Sequence, residues 1–179
     1  MFEIGDYIVY GNSGVCRVDK VGMIDNINGI PKDKLYYTLS PIYLKGSTVY
    51  TSVDNQRVIM RPVISEKEAR DLIDHIKDVE VLWIPDEKGR EEAYQTALNT
   101  CNCEELVKII KTLYVRNESR IADGKKMTNS DRKYLKLAEE FLYGELALPL
   151  GIEKSEVEAF IIEKCDLQQE ETTWKVKEQ

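Results

Sequence analysis

One change of hydrophobic period divides the chain. Up to about Pro62, apolar residues come in short runs rich in Val, Ile, Tyr and Thr: Tyr7–Tyr10, Val15–Ile24, Leu35–Tyr43, Thr48–Val53 and Arg57–Met60. Each run is bounded by residues that tolerate tight turns, among them Gly11-Asn12-Ser13-Gly14 and Asn28-Gly29. From Ser65 onward the spacing becomes three and four, as in Ala69, Leu72, Ile73 and Ile76. One sheet or one bundle cannot satisfy both periods. The expected fold class is therefore α+β as two domains, a small antiparallel β-barrel over residues 1–62 and an all-α domain of about five helices over 63–179.

Cap signals place the helices. Ser65 with Glu68 reads as a capping box, and Asn102 with Glu105 starts a helix over Leu106, Ile109, Ile110 and Leu113 that Asp123-Gly124 ends. Between them a helix runs through Tyr94, Ala97 and Leu98. Thr128 and Asp131 open the next, through Tyr134, Leu137, Ala138 and Phe141, until Pro149 and Gly151 break it; Ser155 starts a shorter one over Val157, Phe160 and Ile161. The polar end, about the last 12 residues, is expected to fray.

Charge is unevenly spread. The chain carries a net −7, yet residues 106–136 hold nine basic against three acidic residues. Lys108, Thr112, Arg116 and Arg120 form an i, i+4 row with Lys111 beside it, which predicts an outward ridge opposite the apolar stripe. Such a ridge has an ordinary reading as a solvated helix face. Lys125 and Lys126 lie in the following loop, and Arg132 and Lys133 lie in the first turn of the next helix, where the dipole disfavours cations, so this group points to an external anion. A helix start with Thr128, Asn129 and Ser130 suits phosphate. An acidic remainder implies DNA binding that is weak and nonspecific alone, aided by a second partner.

Other functions lack their residues. His75 is the single histidine, and there is no Gly-rich phosphate loop and no HExxH, so no enzyme, cofactor or metal is expected. Cys101 and Cys103 have one residue between them, too close for a zinc knuckle. No apolar run reaches the roughly 18 residues of a membrane span. No secretory signal opens the chain, which makes a cytoplasmic monomer the expectation.

The segments FEIGDYIVYGNSGVCRVDKV, TVYTSVDN and LVKIIKTLYVRNESRIADGKKMTNSDRKYLKLAEEFLYGELALPLGI, the last with its internal GELAL, occur in the order of the CarD/CdnL family of bacterial RNA polymerase regulators. The chain resembles that family over about residues 1–165. The resemblance implies a Tudor-like N-terminal domain that binds the polymerase β subunit, and a helical domain that contacts promoter DNA at the upstream edge of the bubble and stabilises the open complex. It puts Arg132 at a phosphate-contacting position with Lys133 beside it, and Lys88 and Arg90 near a basic cluster at the start of the second helix. The family's minor-groove wedge is a Trp followed almost at once by Arg-Arg-Tyr, whereas Trp83 is followed by IPDEKGR, and an ungapped alignment sets Glu87 or Lys88 at the wedge. Trp83 is thus either the wedge or a packed side chain. Ile24 and Tyr50 stand near family arginines that face polymerase, implying a more apolar surface. The DNA set is Arg132, Lys133, Lys125, Lys126, Arg90, Lys88 and Trp83; the competing reading is a protein-only module that offers its basic face to an acidic partner.

Overall fold

The Val-, Ile- and Tyr-rich runs pair into one antiparallel sheet of strands β1 (Tyr7–Tyr10), β2 (Val15–Gly22), β3 (Tyr36–Pro41), β4 (Val49–Ser52) and β5 (Met60–Pro62), in the order β4-β3-β2-β1-β5. The computed structural model describes residues 1–24, 31–84 and 86–166, so the turn expected at Asn28-Gly29 lies outside the described residues. Two compact units result, Met1–Val63 and the chain from Ile64 onward.

Ile8, Cys16, Val18, Tyr37 and Leu39 form the core under the sheet, and Phe2, Tyr10, Val21, Val49, Val53 and Met60 pack against it. The register sets Ile8 against Cys16, which is in turn opposite Pro41. The Tyr37 hydroxyl accepts from the Phe2 N–H at 2.9 Å, which secures the end of the chain. Gly11 opens the β1–β2 turn with a φ of +42°, and a Cβ there would meet Val58 Cγ1 at 2.6 Å, so glycine is required on both counts.

Two expectations shift. No ladder joins β4 to β5 among the described residues, so the sheet is open rather than a closed barrel. Its last strand also falls later than Arg57–Met60, at Met60–Pro62, with Pro62 opposite Ile8. Proline lacks an N–H to donate, and an edge strand with one neighbour tolerates that loss.

The second unit comprises α1 (Glu66–Asp74), α2 (Arg90–Asn99), α3 (Cys103–Ala122), α4 (Asn129–Leu150) and α5 over residues 157–166. Ser65 and Glu68 exchange both bonds of a capping box, the Asn102 side chain accepts from the N–H groups of Glu104 and Glu105, and Thr128 accepts from that of Asp131. Pro149 does not break α4, which runs on through Leu150 until Gly151 turns left-handed at φ 66°. Ser155 does not start the next segment either: Glu153 and Glu156 cap a short 3-10 turn at Lys154–Glu156, ahead of α5.

Ile73, Tyr94, Leu98, Ile109, Leu113, Leu142, Leu146 and Val157 belong to one shared core. Full burial of a side chain such as Leu113 contributes about 1.5–3 kcal/mol. Glu145, 2% exposed, spans this core: it accepts from the Ile64 N–H at 3.1 Å and from Cys103 Sγ at 3.2 Å. No helix of the described residues is long and apolar enough to cross a membrane.

Candidate functional site

The cation row of α3 does not form an outward ridge. Lys108 pairs with Glu105 at 2.7 Å and Glu104 at 3.4 Å, and Lys111 Nζ donates to the carbonyls of Ile76 (3.1 Å), Lys77 (2.9 Å) and Val79. Thr112 Oγ1 accepts from the Leu82 N–H at 2.9 Å and donates to the Lys108 carbonyl at 2.6 Å. Arg120 Nε donates to the Lys126 carbonyl at 2.9 Å. The described residues between α1 and α2 have little regular structure, so their backbone groups need partners from elsewhere. The polar stripe of α3 supplies them.

This seat determines what the crossing segment presents. Leu82 and Ile84 turn inward onto the core, and the residue between them, Trp83, is turned out and 83% exposed. Within the helical unit the packed alternative for Trp83 is therefore not what is found. Val81 beside it is 48% exposed. Lys88 is exposed in the turn before α2.

Arg90 lies elsewhere than a DNA-facing reading needs. Its side chain is 12% exposed, with Nη1 at 2.6 Å from Glu87 Oε1 and Nε at 3.1 Å from Asp131 Oδ1. Asp131 is 1% exposed and accepts from Arg116 Nε at 3.0 Å. The rest of the Arg116 guanidinium forks onto Glu87, Nη1 reaching Oε2 at 2.9 Å and Nη2 bonding Oε1. Forked charge-assisted pairs of this kind fix direction as well as distance. Neighbouring Tyr94 has its hydroxyl pushed up to about 12, by burial first and then by the Asp131 carboxylate.

The turn from α3 to α4 carries the unspent charge. Lys125 is 3.3 Å from Asp123 with both side chains largely exposed, a contact of little energy. Lys126, Arg132 and Lys133 are exposed, and Lys133 Nζ stands 5.4 Å from the Tyr134 ring centre. Lys126 and Arg132 make no side-chain ion pair with a described residue. Of the short polar residues here, Thr128 is committed to its cap and Ser130 Oγ is buried, which leaves Asn129 exposed. Sequence reasoning passed over Lys136, also exposed; the signal was its place four residues after Arg132, on the same helix face.

In the sheet unit, Tyr50 is 45% exposed on the edge strand β4, opposite Thr38, and Ile24 follows β2 half-buried. The two are thus set off strands separated by β3.

Residues 2–64 match the model of the CarD-like/TRCF RID domain, and residues 77–162 match that of the CarD C-terminal domain. No curated protein matches the sequence at a significant level. The two domains are regulatory, and they define the class: a transcription-related regulator that interacts with RNA polymerase, with a Tudor-like first domain. The chain belongs to the CarD-like family.

Proposed function

We propose that the sheet unit docks on the polymerase β subunit through a surface that includes Tyr50 and Ile24, and that the helical unit contacts promoter DNA at the upstream edge of the bubble. The effect is to stabilise the open complex. The observation that carries this reading is the division of labour among the cations. Lys108, Lys111, Arg116, Arg120 and Arg90 are spent inside the protein, whereas Lys126, Arg132, Lys133 and Lys136 remain exposed around the start of α4. Cations at a helix start oppose the dipole and are favoured by an external anion such as phosphate. Trp83 is the wedge of this arrangement: an exposed aromatic that enters a base step stabilises DNA already unstacked and slows its closure. Arg90 has no part in the DNA set, Lys88 and Lys125 remain secondary members of it, and no catalytic step is required.

The test is a salt titration of the promoter complex with polymerase, comparing the wild type with Arg132→Ala plus Lys133→Ala. Loss of two phosphate contacts lowers the slope of log affinity against log salt by roughly 2 and shortens the open-complex lifetime. An unchanged slope with an unchanged lifetime would instead favour the protein-only module.

A further inference from the structure

The four charged groups under the proposed DNA surface close a ring. Asp131 pairs with Arg116 and Arg90, and both arginines pair again with Glu87. The ring is electrically neutral and touches every part of the surface: Glu87 adjoins Lys88 and follows Trp83 by four residues, Arg90 begins α2, Arg116 comes from α3, and Asp131 directly precedes Arg132 and Lys133. Resting on the reading above, we propose that Asp131, acting through Arg116, Arg90 and Glu87, is a positioning residue that holds Trp83 and the Arg132–Lys133 pair in one fixed spacing.

Its burial argues for position over stability. A carboxylate at 1% exposure loses nearly all its hydration, and ion pairs in such settings return that loss with little surplus; apolar side chains of the same shape commonly serve stability as well. What the Arg116 pairs add is direction, whereas Arg90 Nε and Asp131 Oδ1 meet at 3.1 Å as charges without a hydrogen bond. The Asp131 N–H is also held, at 3.0 Å, by the Thr128 hydroxyl, so this carboxylate is tied to the first turn of α4 at its backbone and to two other helices at its side chain. Glu87 is the opposite corner, 63% exposed and held by both arginines. It anchors the Trp83 side of the surface. A wedge and a phosphate clamp that act on the same duplex need a fixed separation, because a displacement of about 1 Å in a positioned group is enough to lose much of its effect.

The experiment is a mutant cycle on open-complex lifetime, with the full chain, purified polymerase and a linear promoter fragment. Glu87→Gln, at the exposed corner, is expected to leave the urea midpoint in place and to shorten the lifetime by about fivefold, the scale of coupling between contacting charged groups. In a Trp83→Ala background Glu87→Gln should cost nothing more, and the same holds with Arg132→Ala plus Lys133→Ala, because in each case no spacing is left to hold. Asp131→Asn should be non-additive with both. A purely structural ring would instead give effects that add in every background and follow the urea midpoint. Additivity of Glu87→Gln with Trp83→Ala overturns the proposal, as does silence of Glu87→Gln while Trp83→Ala and Arg132→Ala each shorten the lifetime. If Asp131→Asn fails to fold, the Glu87→Gln arms decide alone. Should Trp83→Ala and Arg132→Ala both be silent, the DNA reading itself has failed, and the proposal falls with it.

Discussion

Exposure of Trp83 is the residue-scale fact with the largest consequence. An indole left 83% in water forgoes the burial that gives large aromatics their stabilising weight, and its neighbours Leu82 and Ile84, partly buried, pack on the core in its place. Trp83→Ala is therefore expected to shift unfolding stability by no more than about 0.5 kcal/mol, the range of an exposed site without special contacts. Urea denaturation of the variant checks this. A larger loss would mean that the indole finds cover within the chain. Arg90 shows the opposite lesson. A basic residue at a helix start reads the same in sequence whether it faces DNA or a buried acid, and only the fold places Asp131, 41 positions on, against it.

At the scale of the element, α4 also half-buries one acid, Glu139, whose charge weakens the fold. Burial raises the Glu139 carboxyl above the usual range; Glu158 and Glu140 push it the same way, and the Tyr114 hydroxyl, donating at 3.3 Å, only partly opposes them. A carboxyl raised in the folded state contributes stability that is fully present below its unfolded value, about 4.3, and is lost as pH rises through the folded value. Near pH 7 the folded protein must hold that charge, so Glu139→Gln should raise the urea midpoint there. By about pH 3, where the acid is neutral in both states, the gain should vanish. A gain that persists at low pH would point to packing. Element boundaries were legible where a side chain caps its own helix, as at Ser65, Asn102 and Thr128, because the signal and its effect lie three residues apart. They were less legible at β5, whose position depends on pairing with β1 across the length of the sheet unit. The α3 ridge misled for the same reason: its 3.6-residue period separates polar from apolar faces, but the period is silent about whether water or a crossing chain covers the polar one.

For the molecule as a whole, charge placement limits how DNA can be held. A chain of net −7 repels a polyanion at long range, and attraction rests mainly on the few cations not engaged within the protein. In residues 86–136 the cations whose side chains bond neither an acid nor a backbone carbonyl are Lys88, Lys126, Arg132, Lys133 and Lys136, if Lys125 is assigned to Asp123 and Lys111 and Arg120 to their carbonyls. Contacts from these five would give a slope of log affinity against log salt no steeper than about −4.5. Affinity for a promoter duplex without polymerase should thus be weak and should fall steeply between about 0.05 and 0.2 M salt, by a factor bounded by that slope. Fluorescence anisotropy with a labelled duplex measures it. A steeper slope would mean that cations bonded within the protein, such as Arg120 and Lys125 or the ring arginines Arg90 and Arg116, also reach phosphate. A slope within the bound is consistent with a closed ring and with DNA contact that depends on polymerase for its strength. On the proposed reading the acidic surroundings have a use: they would suppress binding to DNA at large while leaving one small cationic face for DNA presented by polymerase.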